Sequence, residues 1–419
     1  MPFTSLGLGA KLTKAIAEQG YVEPTPIQAK AIPIILSGRD VIGVAQTGTG
    51  KTAAFVLPIL ERLSTALPER RMRVLVIAPT RELVAQIEEN VRAYGRHLDL
   101  RYATIFGGVG EGPQIQALRR GVDLVVATPG RLLDLTEQRH VDYSGLQVLV
   151  LDEADRMLDM GFLPSIRKIV AKTPAARQTL LFSATMSKEI EAITLLKTPT
   201  VVEIGARSTP AEAVTQYVVE VSPAGKVPAL IHLLKDAALE SVLVFSRTKH
   251  GADRIARKLE QAGLKTATLH SNRTQGQRLA ALKRFKSGDV RVLIATDIAA
   301  RGIDVDGISH VINFDFPPQP EDYVHRIGRT GRAQAIGDAI SFVTHDDADS
   351  VKRLERFLGR GITRKKLDGY VPAAPAEPAP KTDRPARESW KPKGPRSGSF
   401  GPKRFGQQRG RPQGRRGRT

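Results

Sequence analysis

The 419-residue chain contains no cysteine. Disulfides and thiolate-held metals are thereby excluded, and the composition suits a reducing compartment. The eight histidines are scattered, and no His/carboxylate spacing suggests a zinc site. No apolar run approaches the ~18–20 residues needed to cross a bilayer. Met1-Pro2-Phe3-Thr4-Ser5 shows no basic stretch leading into an apolar one, so export is not expected and a cytoplasmic location is. Acidic residues are also short: 43 against 63 Lys/Arg, a net charge of +20. That imbalance favours a polyanionic partner over a merely solubilising role. Residues 371–419 alone hold 13 Lys/Arg against 3 acidic residues, half of the excess.

What is present is ordinary globular material, 41% apolar and 25% charged, and enough of it for two or three domains. Strand-like apolar runs alternate with helix-like segments such as Thr52–Leu63 and Arg81–Tyr94, the pattern of parallel α/β sheets. The first set of strands is expected at Val41–Ala45, Val74–Ala78, Tyr102–Phe106, Leu124–Ala127, Val148–Leu151 and Thr179–Phe182. The alternation pauses around Gly205-Ala206-Arg207-Ser208-Thr209-Pro210. It resumes at Val242–Phe245, Thr266–Leu269, Val292–Ala295, His310–Asn313 and Ala339–Val343. Domains are therefore expected at 1–205 and 212–365, with a linker at 206–211. Beyond them, 366–419 is rich in Arg, Gly and Pro and too poor in aliphatics to offset its ordering entropy, so a disordered basic tail is expected. Trp390, Phe400 and Phe405 stand among its cations and could stack on bases.

Two motifs carry chemistry. Ala45-Gln46-Thr47-Gly48-Thr49-Gly50-Lys51-Thr52 follows a strand and opens a helix, so backbone N–H groups of Gln46, Thr47, Gly48, Thr49 and Gly50 would face phosphate oxygens. Lys51 would reach the terminal phosphates and Thr52 a magnesium ion. About a hundred residues later Asp152-Glu153-Ala154-Asp155 ends another strand. Asp152 would share the magnesium and Glu153 would orient an attacking water. Together these imply hydrolysis of ATP or GTP.

Over residues 3–344 the chain resembles the DEAD-box ATP-dependent RNA helicases, within them the bacterial RhlE-like group. About ten motifs carry the resemblance, in the family's order. It implies two RecA-like parallel-sheet domains in tandem and ATP with Mg2+ as ligands. Phe3 and Gly20-Tyr21-Val22-Glu23-Pro24-Thr25-Pro26-Ile27-Gln28 look like the Q motif, with Phe3 packing on the base and the Gln28 amide matching the edge of adenine. Pro79-Thr80-Arg81-Glu82-Leu83, Gly107-Gly108 and Thr128-Pro129-Gly130-Arg131 resemble an RNA phosphate track, implying Arg81, Gly108, Thr128 and Arg131 as contacts. Ser183-Ala184-Thr185 resembles the motif that couples nucleotide state to closure through Asp152 and Asp155. In the second half Phe245-Ser246-Arg247-Thr248 implies Arg247 at RNA. The run Ala295-Thr296-Asp297-Ile298-Ala299-Ala300-Arg301-Gly302-Ile303-Asp304 implies Thr296 at an RNA phosphate and Asp304 at the ribose. His325-Arg326-Ile327-Gly328-Arg329-Thr330-Gly331-Arg332 implies Arg329 and Arg332 as arginine fingers and His325 against the acidic segment. His270-Ser271-Asn272 departs from the family's usual His-Gly-Asp.

The resemblance implies RNA-dependent ATP hydrolysis, blind to base sequence, with local opening of short duplexes or remodelling of RNA–protein complexes. RNA, duplex or single-stranded, is the implied partner; ribosomal precursors or RNA-decay proteins also fit, and a monomer is expected. Without ligands the domains are expected to be loosely tethered. A DNA translocase of the same superfamily and an ATP-gated RNA clamp are the alternatives.

Overall fold

The computed structural model describes residues 2–45, 48–65, 71–186, 196, 198–204, 214–297, 308–330, 337–367 and 369–370, and structural statements here concern these. Residues Met1–Pro372 form one compact unit.

Seven strands make the first sheet: β1 (Val41–Val44), β2 (Val74–Ile77), β3 (Tyr102–Ile105), β4 (Leu124–Ala127), β5 (Val148–Leu151), β6 (Gln178–Ser183) and β7 (Thr200–Glu203). All pair in parallel, in the order β3-β4-β2-β5-β6-β1-β7. The second sheet holds β8 (Val214–Glu220), β9 (Val242–Phe245), β10 (Thr266–Leu269), β11 (Val292–Ala295), β12 (His310–Asn313), β13 (Gly337–Val343) and β14 (Thr363–Arg364). It is parallel too, in the order β10-β11-β9-β12-β13-β8-β14. Each position repeats the first sheet seven strands later. The two halves are the same topology twice, although only the first carries a phosphate loop.

The inner strands β2, β4, β5, β9 and β11 are apolar and buried at every position because helices cover both faces of the sheets. Alternate residues enter different cores. Val74, Val76, Val148, Val150, Leu180 and Phe182 lie in one cluster, while Leu75, Ile77, Leu149, Leu151 and Leu181 lie in another. The second sheet divides likewise, with Val242, Val244, Val292 and Ile294 on one side and Leu243, Phe245, Leu293 and Ala295 on the other.

Packed chain continues past residue 365, where the sequence placed the boundary. Leu367 and Tyr370 pack against the second lobe, and the Tyr370 hydroxyl donates to the Gly225 carbonyl at 3.1 Å. These apolar groups sit among cations, which hid them in a composition-based reading. The linker at 206–211 and the tail beyond Tyr370 lie outside the described residues. Among the described residues no helix is long and apolar enough to cross a membrane.

Candidate active site

Open parallel sheets gather ligands at the carboxyl ends of their strands. Here the neighbours β5, β6 and β1 deliver the acidic segment, Ser183–Thr185 and the phosphate loop side by side. The helix Lys51–Thr65 starts at the loop's end, with Thr52 in its first turn. Gly48 and Gly50 take φ of 84° and 89°, left-handed values that tighten the turn. Lys51 is buried, and its Nζ donates to the Ala45 carbonyl at 2.5 Å across the loop. Gln46 and Thr47 lie outside the described residues.

Gln28 reaches this loop. Its Nε2 donates to the Gly50 carbonyl at 3.1 Å, and its Oε1 accepts from the Thr25 amide at 3.0 Å. A Cβ on Gly50 would fall 2.3 Å from Nε2, so this approach requires glycine. A glutamine amide has two donors and two acceptor sites. One of each stays available, with the plane of the group set by the loop itself. Phe3 is buried in the apolar cluster that includes Leu6, Leu8 and Leu12.

Asp152 directly follows β5 and is almost fully buried. Burial, followed by the charge of Glu153, pushes its carboxyl up to about 7, with Lys51 opposing. Glu153 sits in the left-handed region, φ 50° and ψ 55°, at the start of the short helix Ala154–Asp159. Burial raises its carboxyl, but Arg156, Arg329 and Lys51 outweigh that and hold it below the usual range. Arg156 donates to its Oε2 at 2.5 Å. The hard carboxylate oxygens of buried Asp152 and the hydroxyl of Thr52 in the first helical turn are donor types a magnesium ion takes.

Both hydroxyls of the Ser183–Thr185 turn bind Asp155 and not Asp152, which corrects one expectation. Ser183 Oγ accepts from the Asp155 amide at 3.3 Å, and Thr185 Oγ1 donates to Asp155 Oδ2 at 3.2 Å. The Ala184 and Thr185 amides donate to the same oxygen. Asp155 is the connector because its side chain opens toward β6, whereas Asp152 Oδ1 is taken by the Glu153 amide.

The phosphate-track candidates lie along the neighbouring strand ends. Arg81 lies over Gly108, where a Cβ would fall 1.8 Å from its Nη1 and φ is +79°. Burial, then Arg278 and Arg131 nearby, lowers the Arg81 pKa, with Glu82 opposing. Thr128 precedes the helix Pro129–Glu137, and Arg131 donates to the Val109 carbonyl at 3.3 Å. Arg247 follows β9 with a largely exposed side chain, and Thr296 follows β11, its amide donating to Leu269.

The lobes are in contact in this structure. Glu82, buried, accepts from Gln275 Nε2 at 3.1 Å and pairs with Arg278 at 2.9 Å. From the second lobe the charge of Arg329 also reaches Glu153. Sequence reading passed over Glu82, Gln275 and Arg278. The three-residue spacing of Gln275 and Arg278 on one helix was the available signal.

The run from His325 to Arg332 divides. Arg326 is internal: it forks onto Asp297 at 2.5 and 2.7 Å, donates to Asn313 and the Asp315 carbonyl, and stacks on Phe245. Its anionic partner is therefore Asp297. Arg329 is buried toward the first lobe's acidic segment, and His325 lies in the last turn of the helix Pro320–Ile327. Arg332 and Asp304 lie outside the described residues. In the divergent loop, His270 is buried against Asp253 and Asn272 accepts from Lys249.

Comparison with known proteins agrees with this geometry. The DEAD/DEAH box helicase family model matches residues 25–193, and that of the helicase conserved C-terminal domain matches 225–334. The chain belongs to the DEAD-box ATP-dependent RNA helicase family. It is 47% identical over 355 residues to DEAD-box ATP-dependent RNA helicase 30 of Arabidopsis thaliana, covering 83% of this chain and 60% of the relative. It is 45% identical to the ATP-dependent RNA helicase RhlB of Pseudomonas syringae pv. tomato, over 86% of this chain and 94% of that protein. The fold matches S. cerevisiae Dbp5 bound to RNA and ADP BeF3 with a TM-score of 0.79 at 31% identity, covering 88% of this chain and 96% of Dbp5. The finer RhlE-like placement does not rest on these relatives.

Proposed function

We propose that this chain is an RNA-dependent ATPase that uses lobe closure to open short RNA duplexes or remodel RNA–protein complexes without reading base sequence. The observation that carries the proposal is the contact of the two lobes beside the acidic segment, where Glu82 of the first bonds Gln275 and Arg278 of the second. A hydrolytic site split between two lobes works only when they meet, so RNA that favours closure switches it on.

Gln46, Thr47, Gly48, Thr49, Gly50, Lys51 and Thr52 cradle the nucleotide phosphates. Gln28 offers its remaining donor and acceptor to adenine, and Asp304 serves the ribose. A magnesium ion would be held by Asp152 and Thr52, where it neutralises phosphate charge. Glu153, kept ionised by the cations around it, accepts a proton from the attacking water. Arg329, with Arg332, stabilises charge on the transferred phosphoryl group. Asp155, Ser183, Thr185 and His325 couple nucleotide state to closure. Arg81, Gly108, Thr128, Arg131, Arg247 and Thr296 hold one strand by its phosphates, contacts that carry no base information.

The absence of cysteine fits a cytoplasmic protein, and ribosome assembly and RNA decay are the settings proposed for it. Crosslinking of bound RNA in cells distinguishes them. The activity is tested by comparing RNA with DNA as ATPase activator and by displacement of a strand from a short RNA duplex. Equal stimulation by DNA, or ATP turnover without displacement, refutes the proposal as stated.

A further inference from the structure

Among the described residues β10 is the outer strand of the second sheet and pairs with β11 alone. The Thr296 amide donates to the Leu269 carbonyl, and the register sets Leu269 opposite Ala295. In a parallel ladder, alternate residues of a strand serve the same neighbour. Ala267 and Leu269 therefore serve β11, while Thr266 and Thr268 turn both N–H and C=O to the open edge. An edge of this kind is a template for another strand.

The edge opens into a cleft of about 630 Å³ lined by Arg257, Glu260, Thr266, Thr268, Gln277 and Arg284 among others. The helices Lys249–Gln261 and Gln275–Lys286 flank it on opposite faces of the sheet. Ala252, Ile255 and Leu259 pack with Val242 and Val244, whereas Ala281, Leu282 and Phe285 pack with Leu243 and Phe245. A strand added here would send alternate side chains toward Arg257 on one face and Arg284 on the other. Charge points to the occupant. Residues 249–291 hold 11 Lys/Arg against 3 acidic residues. All three of those acids are already engaged, Glu260 by Thr266, Asp253 by His270 and Arg273, and Asp289 by Arg284 at the rim, where both side chains are about half exposed. The cleft is separate from the active site: Gln275 and Arg278 turn to the first lobe, and Gln277 and Arg284 turn to the cleft.

We propose that this edge docks an extended, acidic segment of a partner protein, which joins β10 as an additional strand. A peptide main chain meets both the donors and the acceptors that Thr266 and Thr268 present. RNA phosphates would only accept, leaving the two carbonyls unmatched.

The probe is a short fluorescent peptide of repeating Glu-Glu-Val-Val, which puts carboxylates on both faces of a strand. It is titrated into the full chain by anisotropy, with a Lys-Lys-Val-Val peptide as control. Saturable binding of the acidic peptide is expected, and the basic one should bind more weakly. Thr268→Pro removes the outward N–H and leaves the β11 ladder intact; Thr268→Val loses the same hydroxyl but keeps the N–H. The proline variant, and Arg257→Glu with Arg284→Glu, should weaken binding roughly tenfold or more, and the valine variant should not. ATPase activity at saturating RNA should persist in all three. Should the proline variant fail to fold, peptide-dependent protection of the Thr266 and Thr268 amides from hydrogen exchange in the unaltered chain decides. Absent saturable binding, equal binding to a folded proline variant, or unprotected amides in the bound chain overturns the proposal. So does charge reversal that weakens single-stranded RNA binding while the peptide is unaffected, which would make the cleft an RNA surface.

Discussion

At Glu153 the main chain holds a left-handed conformation that costs a non-glycine residue about 1–2 kcal/mol. The neighbours sustain it: the Glu153 amide donates to Asp152 Oδ1, and its carboxylate is fixed by Arg156. Replacing Glu153 with Gln keeps the shape and removes the base. ATP and RNA binding should survive while turnover falls by ~10²-fold or more. Near-normal RNA-stimulated turnover would end the assignment. Gln28 carries two tasks on one amide, since the groups facing Thr25 and Gly50 orient those left for a base. Gln28→Ala should therefore loosen the phosphate loop as well as the adenine contact. ATP affinity should fall and the preference for ATP over GTP should narrow, by roughly 1–3 kcal/mol per unpaired group. A variant that still rejects GTP as well as the parent does would contradict the base-reading role. Sequence alone suggested the base and could not show the loop contact, because Gly50 is far along the chain from Gln28.

Elements were legible where burial left a continuous apolar run. β4, β5, β9, β10, β11 and β12 fall on the expected bounds, and β1, β2 and β3 end one residue earlier. β6 and β13 extend beyond their expected starts. β7, β8 and β14 were not anticipated. β7 shows only Val202 buried, and β14 is two exposed residues, so neither presents an apolar run. β8 alternates buried and exposed positions and follows the stretch read as linker. Polar residues at strand ends were legible as a group but not in their division of labour. Arg326 and Arg329 share one motif and three residues of spacing, yet Arg326 is tied to Asp297, Asn313 and Asp315 in its own lobe while the charge of Arg329 bears on Glu153 in the other. Arg326→Ala should leave Asp297 without its partner and destabilise the second lobe by about 3–5 kcal/mol, measurable by urea unfolding. A fully stable Arg326→Ala protein would show that the fork contributes little to folding.

Across the whole molecule, catalysis and binding are divided between parts that the sequence separates widely. The Arg329 contribution needs closure, so Arg329→Ala should cut RNA-stimulated turnover by ~10³-fold or more. ATP affinity without RNA should change little, because the first lobe supplies the phosphate loop. A large loss of ATP affinity with intact turnover would place Arg329 elsewhere. The chain beyond Tyr370 contributes differently. Tyr370 is held to the second lobe through Gly225, and every motif of the proposed site ends by Arg332. Beyond Tyr370 come 13 Lys/Arg and 3 acidic residues. Cations of this density bind phosphates without regard to sequence, and each phosphate neutralised on single-stranded RNA adds roughly −0.7 to the slope of log affinity against log salt. Ending the chain at Tyr370 should therefore weaken RNA binding most at low salt and flatten that slope. ATPase activity at saturating RNA should remain. Unchanged affinity and slope would remove the tail from RNA binding; loss of ATPase activity in a truncated protein that still folds would put part of the catalytic apparatus within it.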